Sequence, residues 1–146
     1  MSPGDVIRWD NFSLQKGPGE DKARWFVFLG DNGRFEVPAV LFALTATTQL
    51  HYYEARGARA GRKVVYFEPS PASPFEGKCL IDVENDHYEL NPLSLKEMDA
   101  DIEAKGCISH EKLLEIWRII AVSSRYSRRI KEDIRRCLEE SGIRGL

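Results

Sequence analysis

Apolar residues arrive along this chain in short runs separated by turn formers, a pattern that favours strands over helices for most of its length. Residues 5–10 set Val6, Ile7 and Trp9 among Asp5, Arg8 and Asp10, and read as a first strand. The stretch 13–21 contains Gly17, Pro18 and Gly19, which break both regular structures, so a mobile loop is expected there. Residues 24–29 are almost continuously apolar after Arg24, the signature of a central strand buried on both faces. Asp31, Asn32 and Gly33 follow; they tolerate positive φ and predict a tight hairpin into a third strand within residues 40–49. The three strands make a meander.

Farther on, residues 51–62 place Gly57 and Gly61 among alanines and arginines, a composition for a flexible basic loop or ribbon tip. Val64, Val65, Tyr66 and Phe67 predict a strand that Pro69, Pro71 and Pro74 bring to an end. Residues 79–83 predict another, residues 93–98 a short helical turn, and residues 102–108 the closing strand of a barrel. The tail changes period. Ser109 is a good helix cap, and Leu113, Leu114, Ile116, Trp117 and Ile120 recur on one helical face. Ser123 and Ser124 interrupt, and a second amphipathic run through Ile130, Ile134 and Leu138 ends at Gly142. The expected fold class is α+β, mainly β: one domain over residues 1–146, with a small barrel over 1–108 and two C-terminal helices over 109–146.

Composition narrows the function classes. The length of 146 residues suits one domain with a real core. No apolar run approaches the roughly 18 residues that span a bilayer, and the start Met1-Ser2-Pro3-Gly4-Asp5 lacks the basic and apolar pattern of a secretory signal. A cytoplasmic protein is the expectation. Cys79, Cys107 and Cys137 are widely spaced, which suggests reduced, mostly buried thiols and neither a disulfide framework nor a zinc site. His51, His87 and His110 are equally scattered, so no metal and no cofactor is expected. Asp99, Asp101 and Glu103 lack a ligand spacing and read as solvated acids.

The net charge of −2 is unevenly distributed, and local fields steer a polyanion more than net charge does. Arg56, Arg59, Arg62 and Lys63 crowd one segment with only Glu54 opposing, while Glu84, Asp86, Glu89, Glu97, Asp99, Asp101 and Glu103 gather later. In the tail, Arg125, Arg128, Arg129, Arg135 and Arg136 alternate with Glu132, Asp133, Glu139 and Glu140, the usual make-up of an exposed helix face.

The order of three motifs resembles the MazF/PemK toxin family, small ribonucleases of bacterial type II toxin–antitoxin pairs. Gly4-Asp5 opens an apolar strand, Arg24 opens a second, and a third ends in the Thr-rich corner Thr45-Ala46-Thr47-Thr48-Gln49. Leu80-Ile81-Asp82 and then Lys105-Gly106-Cys107-Ile108-Ser109 extend the match. The chain departs from the family in Ala23 and Trp25 around the arginine, in Val83 and Glu84 where glutamine and a basic residue are usual, and in a longer C-terminal region. The resemblance implies an SH3-like barrel, a homodimer, metal-independent cleavage of single-stranded RNA through the ribose 2′-hydroxyl, and inhibition by an antitoxin protein that occupies the RNA groove.

Such cleavage needs a base for the 2′-hydroxyl, neutralisation of charge on five-coordinate phosphorus, and a proton for the leaving 5′-oxygen. Arg24 suits the second need, since a guanidinium donates two parallel hydrogen bonds to phosphate oxygens and stays charged; the resemblance adds an acid/base part. Thr47 falls at the family's catalytic threonine, and its hydroxyl can fix a phosphoryl oxygen. Thr45 shares its face in a strand, whereas Thr48 points away. Each residue also has an ordinary explanation, because arginine stems pack on surfaces and threonines favour strands.

Gln49, Tyr52, Tyr53, Arg56, Arg59, Arg62 and Lys63 combine rings for base stacking with cations for the backbone, which points to a single-strand-binding segment. The ordinary reading makes the tyrosines a cap on the core. Two rival functions use the same fold: a non-catalytic module binding nucleic acid or protein, its chemistry lost around Val83 and Glu84, and a toxin directed at a topoisomerase.

Overall fold

A computed structural model describes residues 1–12, 23–33, 40–97 and 99–146. The loop expected over 13–21 and most of the expected hairpin beyond Gly33 fall outside the described residues. In chain order the strands are β1 (Asp5–Trp9), β2 (Arg24–Asp31), β3 (Leu41–Thr47), β4 (Val64–Phe67), β5 (Cys79–Asp82), β6 (His87–Leu90) and β7 (Ile102–Cys107). The helices are α1 (Pro92–Glu97), α2 (His110–Val122) and α3 (Arg128–Glu140), with 3-10 turns at Leu50–Tyr53 and Asp99–Asp101. The fold is α+β and mainly β, with two helices at the C-terminus.

The meander forms as its apolar pattern requires. Strand β2 lies between β1 and β3, all antiparallel, with Val6 opposite Val27, Val27 opposite Leu44, and Phe26 opposite both Ile7 and Thr45. Side chains alternate across a sheet, so Val6, Val27, Leu29 and Leu44 share one face and Ile7, Phe26 and Ala43 share the other. Helices α2 and α3 cover the first face through Leu113, Ile116, Ile120, Ile134 and Leu138. Burying each such side chain contributes about 1.5–3 kcal/mol, enough to make this face the main source of stability. The other face carries a smaller aromatic core, in which Phe12 meets Trp9 and Phe26 edge-on, both at 4.9 Å between ring centres.

Gly30 sets how closely α3 approaches. A bulge interrupts the β2–β3 ladder between Phe28 and Gly30, and a Cβ at Gly30 would lie 2.8 Å from the Cys137 Cβ. With no side chain there, Arg136 Nη2 donates to the Asp31 carbonyl at 2.9 Å, tying α3 to the end of β2. Ser109 and Ser127 cap α2 and α3, each accepting a hydrogen bond from a backbone N–H three residues on.

Two features differ from the sequence expectation. The sheet path runs β4-β5-β3-β2-β1-β7, so β7 pairs with β1 and no described pairing joins it to β4: the sheet is open. Residues 68–78, with Pro69, Pro71 and Pro74, run between these edges, and proline has no N–H for a closing ladder. Phe75 from this segment packs on Phe67 and Trp25 at 4.9 and 6.0 Å between ring centres. The second feature is β6, which the acidic residues around it hid. It pairs with the Leu41–Leu44 half of β3, while β5 pairs with Ala46 and Thr47 on the same side.

Candidate functional site

The fork between β5 and β6 creates the site. Strand β5 leaves β3 after Asp82, and the backbone N–H groups of Asn85 and Asp86 donate back to the Asp82 carbonyl at 3.2 and 3.0 Å. The Thr45 N–H then donates to the Asp86 carbonyl at 3.1 Å. This turn fixes Asp86 beside the middle of β3, where neither neighbouring strand pairs. The result is an open cleft of 530 Å³, lined by Arg24, Thr45, Ala46, Thr47, Gln49 and Arg59 together with residues 85–89.

Arg24 and Thr47 therefore share one cleft, as do Gln49 and Arg59. Arg24 opens β2 on the face of Phe26, and Thr45 stands directly across from Phe26. Thr45 is only 5 % exposed, whereas Thr47 is half-buried at the end of its strand. The Thr47 Oγ1 accepts from the Gln49 N–H at 3.1 Å, which leaves the hydroxyl proton available to a ligand. Thr48 is exposed and does not line the cleft.

The basic segment, read from its composition as a flexible loop or ribbon tip, is closed by turns. Arg59 N donates to Tyr52 O at 2.7 Å and Gly57 N to Glu54 O at 2.8 Å. Gly57 is required here, since a Cβ would meet the Tyr52 carbonyl oxygen at 2.5 Å. The seven residues with expected binding roles have separate fates. Tyr53 is buried, so its ring offers no open face for stacking, and its hydroxyl accepts from Arg59 Nη1 at 3.1 Å. Burial first of all holds the Tyr53 phenol above its usual range, and the bond to Tyr53 raises the Arg59 guanidinium. Tyr52 is exposed, with the His51 ring 4.1 Å away and the Arg59 guanidinium 5.2 Å from its ring centre. Arg62 turns away from the cleft to the fully buried Asp82, its Nη1 3.0 Å from Oδ2. Arg56 and Lys63 are exposed and do not line the cleft.

Sequence reasoning missed residues 85–89 of the lining. Burial, followed by the nearby charge of Asp82, raises the Asp86 carboxyl to about 6 against the opposing pull of Arg59, Arg24 and Arg62. Its neighbour His87 pairs with Leu44 and packs its ring against Phe42 and Tyr126; burial lowers its pKa. The alternation His87-Tyr88-Glu89-Leu90 behind the turn formers Asn85 and Asp86 was the available signal for β6. Elsewhere, Cys79 and Cys137 are buried and Cys107 is exposed, all as free thiols. Asp99 is exposed, Asp101 half-buried and Glu103 paired with Lys105 at 2.9 Å. Among the described residues no group of three or more His, Cys, Asp or Glu side chains is arranged to hold a metal ion, and no helix is long and apolar enough to cross a membrane. No protein-family model and no curated protein matches the chain.

Proposed function

We propose that the protein is a toxin endoribonuclease of the MazF/PemK kind, cutting single-stranded RNA in the cleft between β3 and the β5–β6 turn. The observation that carries this reading is the convergence of Arg24, Thr47, Gln49 and Arg59 on one open polar cleft. Two guanidiniums there offer planar donors to a phosphate whose charge grows on the way to the five-coordinate state. The Thr47 hydroxyl donates to a phosphoryl oxygen and fixes it for in-line displacement. Tyr52, exposed beside Arg59, supplies a ring on which an unpaired base stacks. The resemblance supplies the rest of the proposal: action without a metal, a homodimer, an antitoxin partner and a cytoplasmic setting.

A second reading is a non-catalytic binding module, favoured by the carboxylates of Asp86 and Glu89 in the cleft wall, which repel phosphate. The test is a long single-stranded RNA incubated with wild type, Arg24→Ala and Thr47→Ala in chelator, each variant checked for folding by circular dichroism. Cutting that recurs at a short sequence and disappears in Arg24→Ala supports the ribonuclease. Intact RNA that the folded wild type still binds supports the module.

A further inference from the structure

We infer that Asp86 is the group that takes the proton from the attacking ribose 2′-hydroxyl, an inference that rests on the ribonuclease reading above. The cleft otherwise offers poor bases. A guanidinium holds its proton too tightly, and a threonine hydroxyl is too weakly acidic, for either side-chain type to serve as a base. His87 also lines the cleft, but its Nε2 is buried out of reach of a ligand and its ring packs against Phe42 and Tyr126. Glu89 is exposed.

Asp86 has both the position and the surroundings for the task. Its backbone is pinned on both sides, its N–H donating to the Asp82 carbonyl and its carbonyl accepting from the Thr45 N–H, and the residue lines the same cleft as Arg24 and Thr47. A base works best when its pKa lies near the working pH, and burial lifts Asp86 to about 6. The charged groups acting on it are Asp82 from β5, Arg24 from β2, and Arg59 and Arg62 from the basic segment. His87 and Glu89 of β6 line the same cleft, and Tyr53 and Tyr126 are within reach of its charge. In the proposed step the 2′-hydroxyl proton moves to the Asp86 carboxylate as the 2′-oxygen bonds to phosphorus. The bond from phosphorus to the 5′-oxygen breaks, that oxygen takes a proton from water in the open cleft, and Asp86 later returns its proton to solvent.

The test is single-turnover cleavage of a short RNA in chelator from pH 5 to 8, with RNA affinity measured alongside. The wild-type rate should rise tenfold per pH unit below about pH 6 and then level. Asp86→Asn should lose roughly 100-fold or more of the rate and the pH limb while binding RNA at least as tightly, and Asp86→Glu should recover part of both. Asp86→Asn cleaving within about threefold of wild type, or a wild-type profile flat across that range, overturns the role of Asp86 and leaves the ribonuclease standing. A folded wild type that leaves RNA intact at every pH overturns both.

Discussion

Arg62 tests whether the basic segment serves RNA or the fold. Its Nη1 lies 3.0 Å from Oδ2 of Asp82, whose side chain is 0 % exposed, while the Asn85 amide holds Oδ1 at 2.8 Å. Arg62→Ala would leave that carboxylate buried with one neutral partner. Removing one member of a buried ion pair typically destabilises by about 3–5 kcal/mol. The remaining Asn85 bond offsets about 1 kcal/mol of this, so a loss of about 2–4 kcal/mol is expected in urea unfolding at neutral pH. Adding Asp82→Asn should return much of it, because the orphaned charge goes with the carboxylate; a double-mutant cycle then gives the coupling. In the folded protein, RNA affinity and its salt dependence should hold, since Arg62 is paired with Asp82 and does not line the cleft. Stability within about 0.5 kcal/mol of wild type, the range of ordinary surface substitutions, with a salt slope reduced by about one, would refute the structural role.

Other outcomes follow from single contacts. Asp86→Asn should stabilise the protein above pH 6: the folded carboxyl is raised from 3.8 to about 6, so ionisation favours the unfolded chain, on the order of 3 kcal/mol before solvent screening and roughly 1–2 kcal/mol after it. That gain should shrink as pH falls through 6 towards 3.8, and urea unfolding at pH 8 and pH 4 checks it; equal gains at both would contradict the assignment. Gly30→Ala should destabilise by about 2–3 kcal/mol through overpacking, because φ is +154° and the new Cβ meets Cys137 at 2.8 Å; thermal melts that overlay wild type would count against the close α3 approach. Under native conditions a thiol reagent should modify Cys107 first, since Cys79 is buried and pushed up to about 11. Mass spectrometry of the labelled protein reads the order.

Local pattern carried the elements whose neighbours are close in sequence. The run 24–29 and the residues of β1 announce a meander by their apolar content, and Ser109 with Leu113, Ile116 and Ile120 announces α2 by spacing and cap. What escaped is set by distant pairing. Whether β7 meets β4 depends on the path of residues 68–78, and no local signal in either strand reports it. Strand β6 was obscured because Glu84, Asp86 and Glu89 look like solvated acids until the turn on Asp82 brings Asp86 against Thr45. The basic segment divides for the same reason: Arg59 and Arg62 are alike in sequence, but one reaches Tyr53 and the cleft while the other is drawn to a buried carboxylate twenty residues away. That Arg24 and Thr47 share a face was legible because each stands at the end of a strand in the meander, where register alone sets the face.

The ribonuclease proposal is tested most directly by the chemistry of the ends left when the purified protein is incubated with RNA in chelator. Attack by the neighbouring 2′-hydroxyl in the Arg24 and Thr47 cleft predicts 2′,3′-cyclic phosphate and 5′-hydroxyl termini, read by mass spectrometry and lost in Arg24→Ala. Termini with a 5′-phosphate, cutting that survives Arg24→Ala, or no cutting by the folded protein would contradict it.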